Sequence, residues 1–229
     1  MDNQKPLHIA IDGPVGSGKG TLAVALAKKL NAMHIYTGGM YRSLALACLR
    51  NKVDVKNEEA VMNVLRNSNI ELRIENDSPL TKVFLNGKDV TNDIFFPEVS
   101  NITPIVSAYK GVREEMVKKQ RALAQNRNGV VEGRDVTTKV LPNADLKVFL
   151  TATVDERARR RFEQLRDKNV DISLEDVKKD IVNRDTADST RDVSPLTAAT
   201  DALVIDTTND TVDDTIKKVT EELTRRNLL

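Results

Sequence analysis

A glycine-rich stretch near the N-terminus limits what this chain can fold into more than any other feature. It reads Gly13-Pro14-Val15-Gly16-Ser17-Gly18-Lys19-Gly20-Thr21, follows a short apolar run at residues 7–11 and precedes leucines at helical spacing. Between a strand and a helix, such a loop turns its backbone N–H groups around phosphate, next to the positive end of the helix dipole. We therefore expect an α/β fold in which this loop binds the phosphates of a nucleotide.

The residue after Lys19 departs from the usual form of such a loop. Gly20 stands where a serine or threonine hydroxyl commonly binds magnesium, and the hydroxyl follows one position later on Thr21. We expect magnesium to be coordinated mainly by nucleotide oxygens and water. A glycine-rich turn without a ligand is disfavoured, because glycines cost conformational entropy and pack nothing in return.

Short apolar runs alternate with helical patterns along the chain. After residues 7–11, buried strands are predicted at residues 33–36, 129–131, 146–150 and 202–205. Helices are predicted from about residue 21 and at 40–49 and 112–125, and two more begin near Ser173 and Thr211, where a hydroxyl precedes an acid by three residues. This alternation is typical of a parallel sheet flanked by helices.

A different pattern interrupts the alternation between about residues 70 and 90. Apolar and polar residues alternate there with a period of two, around Asp77-Ser78-Pro79 and Asn86-Gly87. Period two combined with Asn-Gly predicts an antiparallel hairpin. We interpret this stretch as a small β insert in the α/β domain.

Composition excludes several classes of protein. The 229 residues carry 35 Lys and Arg against 34 Asp and Glu, so the net charge of +1 offers no general attraction for nucleic acid or membranes. Only 3% of residues are aromatic, which disfavours a base-stacking single-strand binder. The single Cys48 cannot form an intramolecular disulfide, and no apolar stretch is long enough for a membrane span. We expect a cytoplasmic protein and take a monomer as its state.

Polar and charged residues follow two of the predicted strands. Thr37, Tyr41 and Arg42 come after the second strand, and Arg134 with Asp135 come after the third. Open α/β sheets bind ligands at the carboxyl ends of their strands, and arginine and aspartate there can hold a phosphate and a base or sugar edge. A structural salt bridge remains the alternative for either Arg134 or Asp135 alone.

Arginines cluster on two further predicted helices. Arg157, Arg160 and Arg161 share one helical face, whereas Arg159 points away, and we expect Arg159 and Arg166 to lie on solvated surface. Farther along, one face carries Arg184, Asp188 and Arg191. Next to a phosphate-binding loop, two arginine faces predict a clamp on a transferring phosphoryl group, part of it a mobile lid.

With these motifs in place, the chain resembles the bacterial cytidylate kinases, from Ile9 to about Thr208. The order and spacing of the following motifs carry the resemblance: residues 12–21, Thr37-Gly38-Gly39-Met40-Tyr41-Arg42, Gly133-Arg134-Asp135, Leu141-Pro142-Asn143-Ala144-Asp145, the arginines of 157–161, Arg184-Asp185, and residues 188–196. The resemblance implies one P-loop kinase domain over residues 1–229. Residues 66–96 would be an inserted monophosphate-binding subdomain and residues 157–170 an arginine-rich helical lid.

The resemblance also implies an activity, the transfer of the γ-phosphoryl of ATP to CMP or dCMP with magnesium. Lys19 and its loop would bind ATP phosphates. The monophosphate would be held by Thr37, Tyr41, Arg42, Arg134 and Arg191. Arg113 and Asp135 would read cytosine, and Arg184 with Asp188 would hold the sugar. The residues closing over ATP and the transferring phosphoryl would be Arg157, Arg160 and Arg161.

Three positions depart from the family pattern. Pro104 stands where a serine commonly contacts cytosine, with Thr103 and Ser107 nearby. Glu132 replaces the usual aspartate but keeps a carboxylate that could hold a magnesium-bound water, and Thr137 replaces a usual glycine.

Two alternative functions remain open at the level of sequence. One is a kinase of the same fold that acts on a non-nucleotide acceptor, which the presence of Arg113 and Asp135 disfavours. The other is a nucleotide-dependent switch, which Gly20 and the lid arginines disfavour.

Overall fold

The computed structural model describes residues 5–74, 81–167 and 170–229, and its centre is a five-stranded parallel sheet. The strands are ordered β2-β6-β1-β7-β8 and have the bounds β1 His8–Asp12, β2 Met33–Tyr36, β6 Gly129–Gly133, β7 Leu146–Thr151 and β8 Leu203–Asp206. A separate antiparallel sheet has the order β3-β4-β5, with the bounds Ile70–Ile74, Thr81–Leu85 and Lys88–Asp89. The predicted five-stranded parallel core and the antiparallel insert are both confirmed.

Eight α-helices are present in the described residues. Their bounds are α1 Lys19–Lys29, α2 Thr37–Arg50, α3 Glu58–Arg66, α4 Pro97–Ala108, α5 Lys110–Ala124, α6 Val154–Arg166, α7 Leu174–Thr190 and α8 Val212–Arg225. In this part of the chain no helix has both the length and the apolar character needed to cross a membrane.

Helices bury both faces of the parallel sheet except at its edge strand β8, where Val204 is exposed. On one face Ile9 and Ile11 pack in a cluster with residues of α1 and α8, including Leu26 and Val219. Ala10 belongs to the other cluster, together with residues of α2 and α5. Alternate residues of a strand point to opposite faces, so the continuous apolar runs of the sequence are explained by burial on both sides.

The β insert contains the tight turn that the sequence predicts. β4 and β5 pair in antiparallel fashion, and the two residues between them, Asn86 and Gly87, have positive φ angles of 51° and 78°. Positive φ at both central positions is the type I′ geometry that favours Asn-Gly. The second turn signal, Asp77-Ser78-Pro79, lies outside the described residues.

Helix boundaries differ from the sequence prediction mainly at glycines. α1 begins at Lys19 rather than near residue 21, and α2 begins at Thr37 rather than at residue 40. The glycines after Thr37 read as a strand stop, yet they form the first turn of α2. The predicted starts at Ser173 and Thr211 are confirmed, since both side chains cap their helices. Helices α3 and α4 were not predicted.

The sheet brings the functional segments to one edge. Parallel pairing aligns Asp12 with Gly133 and Tyr36 with Glu132, so the loops after β1, β2 and β6 leave the sheet side by side. The loops after β7 and β8 continue the same edge, because Thr151 pairs with Asp206. This edge is where open α/β sheets bind their ligands.

Candidate active site

A cleft of about 1090 Å³ opens at the carboxyl edge of the sheet. Most of the predicted site residues line it: Val15, Gly16, Ser17, Gly18, Lys19, Gly20, Thr21, Thr37, Tyr41, Arg42, Arg113, Glu132, Arg134, Asp135, Arg160, Arg161, Arg184, Asp188 and Arg191. Gly13, Pro14 and Arg157 are not among the lining residues. The structure therefore gathers residues that are far apart in the sequence into one cavity.

The phosphate-binding loop wraps tightly at the amino end of α1. Gly13 requires glycine, because a Cβ there would lie 2.1 Å from the carbonyl oxygen of Leu150. Lys19 folds back and donates from Nζ to the Pro14 carbonyl oxygen at 2.6 Å. Burial lowers the pKa of Lys19 well below its ordinary value. A buried ammonium paired mainly with a backbone carbonyl gains from an anion beside it, which suits the lysine to a phosphate group.

Gly20 makes room for the carboxylate of Glu132. A Cβ at position 20 would lie 3.3 Å from Oε1 of Glu132. That oxygen also contacts Nε2 of His34 at 3.0 Å, and both side chains are buried. A larger residue at position 20 would press against the carboxylate, so the glycine and Glu132 fit each other.

The residues present fit a magnesium ion that is carried by a nucleotide. No cluster of three or more acidic, histidine or cysteine side chains able to hold a metal occurs among the described residues. One carboxylate, that of Glu132, lies beside the loop where the ion's phosphate ligands would be, and magnesium prefers oxygen ligands and retains water.

A buried ion pair forms one end of the cleft. Nη2 of Arg113 lies 2.7 Å from Oδ2 of Asp135, and both side chains are almost completely buried. Arg113 also donates to the Ser107 carbonyl oxygen at 2.7 Å and stacks over the ring of Tyr41, 5.3 Å from its centroid. Burial raises the pKa of Tyr41 to about 12, so its phenol stays protonated and can donate.

Polar atoms of two arginines at this ion pair have no partner. Arg113 Nε and Arg191 Nη2 are buried, belong to residues that line the cleft, and make no hydrogen bond within the described residues. Buried polar groups in folded proteins are nearly always hydrogen-bonded, and each exception requires an explanation. A polar ligand that enters this end of the cleft would supply the missing partners.

Arginines in the middle of the cleft carry positive charge that the protein only partly balances. Asp188 contacts Nε of Arg134 at 2.8 Å and Nη1 of Arg191 at 3.4 Å. Arg161 and Arg184 form no ion pair in the described part of the chain. Burial, followed by the charge of Arg134, lowers the pKa of Arg184 to about 10. This cluster therefore favours an anionic ligand.

Arg157 is enclosed by protein rather than open to the cleft. Its guanidinium donates to the carbonyl oxygens of Ala152 at 2.9 Å and Val15 at 3.2 Å, and to Asp185 at 2.6 Å. A Cβ on Gly16 would lie 3.0 Å from Arg157 Cβ. In this state Arg157 fastens α6 to the phosphate-binding loop and to α7, and the sequence expectation that it reaches ATP stays a prediction.

The other residues of α6 follow the predicted faces. Arg160 turns to the loop after β8, where it donates to the Thr207 carbonyl oxygen at 2.5 Å. Arg159 is exposed and pairs with Glu156 and Glu163, as expected for solvated surface. Thr207 lines the cleft, although small polar residues after a last strand more often form only a turn.

Thr37 and Arg42 are held by the protein in this state. The Thr37 hydroxyl donates to the Glu132 carbonyl oxygen at 2.7 Å. Arg42 donates to the Ile94 carbonyl oxygen and to the Ser100 hydroxyl, each at 2.9 Å. Both residues line the cleft. Their contact with a monophosphate stays a prediction.

Pro104 lies inside α4 and does not line the cleft, whereas its neighbours Thr103 and Ser107 do. The Thr103 hydroxyl donates to the Val99 carbonyl oxygen at 2.6 Å, and Ser107 donates to the Pro104 carbonyl oxygen at 3.2 Å. Both hydroxyl protons are thus used within the helix, and each oxygen keeps acceptor capacity toward the cleft.

Sequence reasoning missed several lining residues, notably His34, Tyr36, Thr81 and Phe95. Tyr36 directly precedes the Thr37 motif, and this adjacency is the sequence signal that could have identified it as a site residue. Thr81 and Phe95 follow the end of that motif, Arg42, by 39 and 53 residues in the chain. They enter the cleft because the insert packs on α2 and the Thr81 hydroxyl donates to the His34 carbonyl oxygen.

Comparison with known proteins identifies the family. The family model described as cytidylate kinase matches residues 9–225. The chain belongs to the cytidylate kinase family. The predicted resemblance is therefore confirmed, and the chain is a nucleotide-binding kinase.

Curated relatives agree along almost the whole chain. The cytidylate kinase of Bacillus cereus (strain G9842) is 46% identical over 215 residues, which span 94% of this chain and 95% of the relative. The cytidylate kinase of Bacillus thuringiensis (strain Al Hakam) gives the same identity and coverage. Family membership favours a kinase over the nucleotide-dependent switch.

A solved structure supports the fold of this cytidylate kinase family member. An uncharacterized protein from Eubacterium ventriosum ATCC 27560 superposes with a TM-score of 0.52 at 14% identity. The match covers 96% of this chain and 99% of that one. At this identity the likeness concerns the fold alone.

Proposed function

We propose that this protein transfers the γ-phosphoryl group of ATP to CMP or dCMP and releases ADP with CDP or dCDP. The acceptor is already a phosphate anion at neutral pH, so the reaction requires no covalent nucleophile from the protein. Catalysis then consists of holding two anionic groups in line, balancing their charge and excluding water.

The observation that carries the proposal is the set of buried polar atoms without partners around Arg113 and Asp135. An arginine beside an aspartate presents both donors and acceptors, which suits the polar edge of a base. The partly balanced arginine cluster lies in the same cleft, as a nucleoside monophosphate requires. A simple anion would occupy only the arginine cluster and would leave the Arg113–Asp135 pair without a ligand.

We propose roles for charged residues of the cleft. Lys19 and its loop bind the ATP phosphates, and Arg134, Arg161, Arg184 and Arg191 bind the acceptor phosphate and the transferring phosphoryl. Asp188 orients Arg134 and Arg191 through its two oxygens. The proposed contacts of Arg184 and Asp188 with the sugar, and of Thr37, Tyr41 and Arg42 with the monophosphate, extend the same assignment.

Magnesium accompanies ATP in this proposal and supplies charge neutralisation on the phosphate oxygens. Glu132 would hold water bound to the ion, because its carboxylate reaches the loop where Gly20 leaves space. His34 contacts one oxygen of that carboxylate and thereby fixes its orientation.

The proposal treats residues 1–229 as one domain. Residues 66–96 form the monophosphate-binding subdomain, and residues 157–170 form a lid that closes over ATP. We also propose a cytoplasmic monomer that binds neither nucleic acid nor membranes, and the balanced charge supports the last two points. Light scattering after gel filtration tests the monomer.

A coupled assay for ADP formation with CMP, dCMP, UMP and AMP tests the activity. We expect turnover with CMP or dCMP to exceed that with UMP or AMP. Equal or faster turnover with UMP or AMP would contradict the assignment of cytosine. Isothermal titration with CMP alone adds a second measurement, because a kinase specific for a non-nucleotide acceptor would not bind it.

A further inference from the structure

Tyr36 lies in the cleft, although neither the sequence motifs nor the roles proposed above include it. It is the last residue of β2 and directly precedes α2. We propose that the Tyr36 hydroxyl binds the phosphate of the acceptor as a neutral hydrogen-bond donor among the cleft arginines. This inference rests on the proposed function, because the acceptor is taken to be a monophosphate.

The ring of Tyr36 is held in one place by its neighbours. It is nearly parallel to the rings of His34 and Phe95, with centroid distances of 6.4 and 6.3 Å. Near-parallel, offset rings at such distances interact favourably. The stack therefore fixes the direction in which the phenol points.

The first turn of α2 is built around this ring. A Cβ on Gly38 would lie 2.8 Å from Tyr36 Cε2, and a Cβ on Gly39 would lie 2.7 Å from Cδ1. Neither glycine has a positive φ angle. Glycine is therefore required at these positions by the nearby ring and not by the backbone conformation. The two glycines therefore serve to seat Tyr36 against the helix.

The surroundings of the phenol are positively charged. Burial lowers the pKa of Arg161 and Arg184, and the charge of Arg42 adds to that effect, while Tyr36 is among the groups that oppose it. The Tyr36 hydroxyl makes no hydrogen bond within residues 5–74, 81–167 and 170–229. A hydroxyl without a protein partner in these ranges, in the cleft that also holds the unpaired Arg161 and Arg184, is suited to a phosphate oxygen.

The order of the sheet places Tyr36 on the side of the acceptor. β2 is an edge strand next to β6, whose following loop carries Arg134 and Asp135, whereas the phosphate-binding loop follows β1. The loop after β8, which Arg160 contacts, lies at the opposite edge. Tyr36 thus lies beyond the loop of Arg134 and Asp135 as seen from the phosphate-binding loop, on the side proposed for the acceptor phosphate.

Removal of the hydroxyl with retention of the ring tests this contact. Calorimetric titrations with CMP, cytidine and inorganic phosphate are compared for the wild type and Tyr36→Phe. Tyr109→Phe is the matched control, since its hydroxyl donates to the Val55 carbonyl oxygen at 2.9 Å outside the cleft. We expect Tyr36→Phe to weaken CMP binding roughly 10- to 100-fold, as for a lost hydrogen bond to a charged group, and to leave cytidine binding unchanged.

Unchanged CMP affinity in Tyr36→Phe would overturn the inference, and so would an equal loss for CMP and cytidine. If the wild type neither binds nor phosphorylates CMP, the proposed function fails, and the phosphate titration then decides the role of Tyr36. Weaker phosphate binding in Tyr36→Phe supports the role, whereas equal binding, or none by the wild type, overturns it.

A second variant tests whether Gly38 is needed to hold the Tyr36 ring in its position. Gly38→Ala places a methyl group 2.8 Å from the ring and must displace it. We expect this change to weaken CMP binding in the wild type by at least several-fold more than in the Tyr36→Phe background. Equal effects in both backgrounds would mean that the methyl group acts on the helix and not through the hydroxyl.

Discussion

Replacement of Thr137 with valine should destabilise the protein by removing one hydrogen bond to a buried carboxylate. Asp12, the last residue of β1, is fully buried and accepts from Thr137 Oγ1 at 2.7 Å. The backbone N–H groups of Val136 and Thr137 donate to the same carboxylate at 2.9 and 2.7 Å. Asp12 therefore ties the strand before the phosphate-binding loop to the turn that follows Asp135.

The size of the effect follows from the charge of the acceptor. A hydrogen bond to an ionised group contributes about 1.5–3 kcal/mol, and valine keeps the shape of threonine. For a chain of this length, 1 kcal/mol shifts Tm by roughly 2–4 °C, so we expect Thr137→Val to lower Tm by roughly 3–12 °C. Thr137→Ser keeps the hydroxyl and should lose only about 1 kcal/mol for the buried methyl group.

The loss should also depend on pH. Burial raises the pKa of Asp12, and the hydrogen bonds from Thr137 act in the opposite direction. Without the hydroxyl the pKa of Asp12 in the native state rises further, so the native variant binds its proton more tightly than the native wild type. The stability of the variant relative to wild type therefore falls as pH rises through the pKa of Asp12. At acidic pH the difference in free energy of unfolding between variant and wild type becomes smaller.

Urea unfolding followed by circular dichroism, at neutral and at acidic pH, measures both effects. The serine variant is the control, because it keeps the hydroxyl and loses the methyl group, whereas valine keeps the methyl group and loses the hydroxyl. A valine variant as stable as wild type at neutral pH would refute the reasoning. Equal losses for serine and valine would refute it as well, since the hydrogen bond to Asp12 would then contribute no more than the buried methyl group.

Three further variants have defined outcomes. Lys19→Ala should abolish measurable turnover in the coupled assay without lowering Tm, because burial of the ammonium costs stability that an alanine does not. Gly20→Ala should raise the magnesium concentration needed for half-maximal turnover several-fold, since its Cβ would lie 3.3 Å from Glu132. Arg113→Met should raise KM for CMP at least tenfold and leave KM for ATP within about twofold, because it leaves Asp135 unpaired at the acceptor end.

Local patterns predicted the elements of this fold better than their arrangement. Apolar runs identified all five strands of the parallel sheet, because four of them are buried on both faces and the edge strand β8, whose Val204 is exposed, is still an apolar run. The order β2-β6-β1-β7-β8 depends on which strands pair, and no local pattern carries that information. Helix α4 was missed partly because Pro104 lies inside it, and proline usually ends a helix.

Residue types at strand ends predicted the members of the site but not the states of their side chains. Arg157 shows the limit most clearly. Helical spacing placed it correctly on one face with Arg160 and Arg161, yet its guanidinium is used by Val15, Ala152 and Asp185. These partners lie in three different parts of the chain, so only the folded structure could show that this arginine is enclosed.

The departure of Gly20 from the usual phosphate-binding loop and that of Glu132 from the family pattern can be explained together by contacts across the sheet. In the sequence, Gly20 indicates the loss of a hydroxyl ligand for magnesium, and Glu132 indicates only the replacement of one acidic residue by another. β1 and β6 are neighbours, so the carboxylate of Glu132 reaches the helix start where a Cβ on Gly20 would crowd it at 3.3 Å. The longer acid thus occupies space that the glycine leaves, and His34 holds its oxygen at 3.0 Å. The loop and the strand are therefore complementary, and a serine introduced at position 20 should be tolerated better once Glu132 is shortened to aspartate.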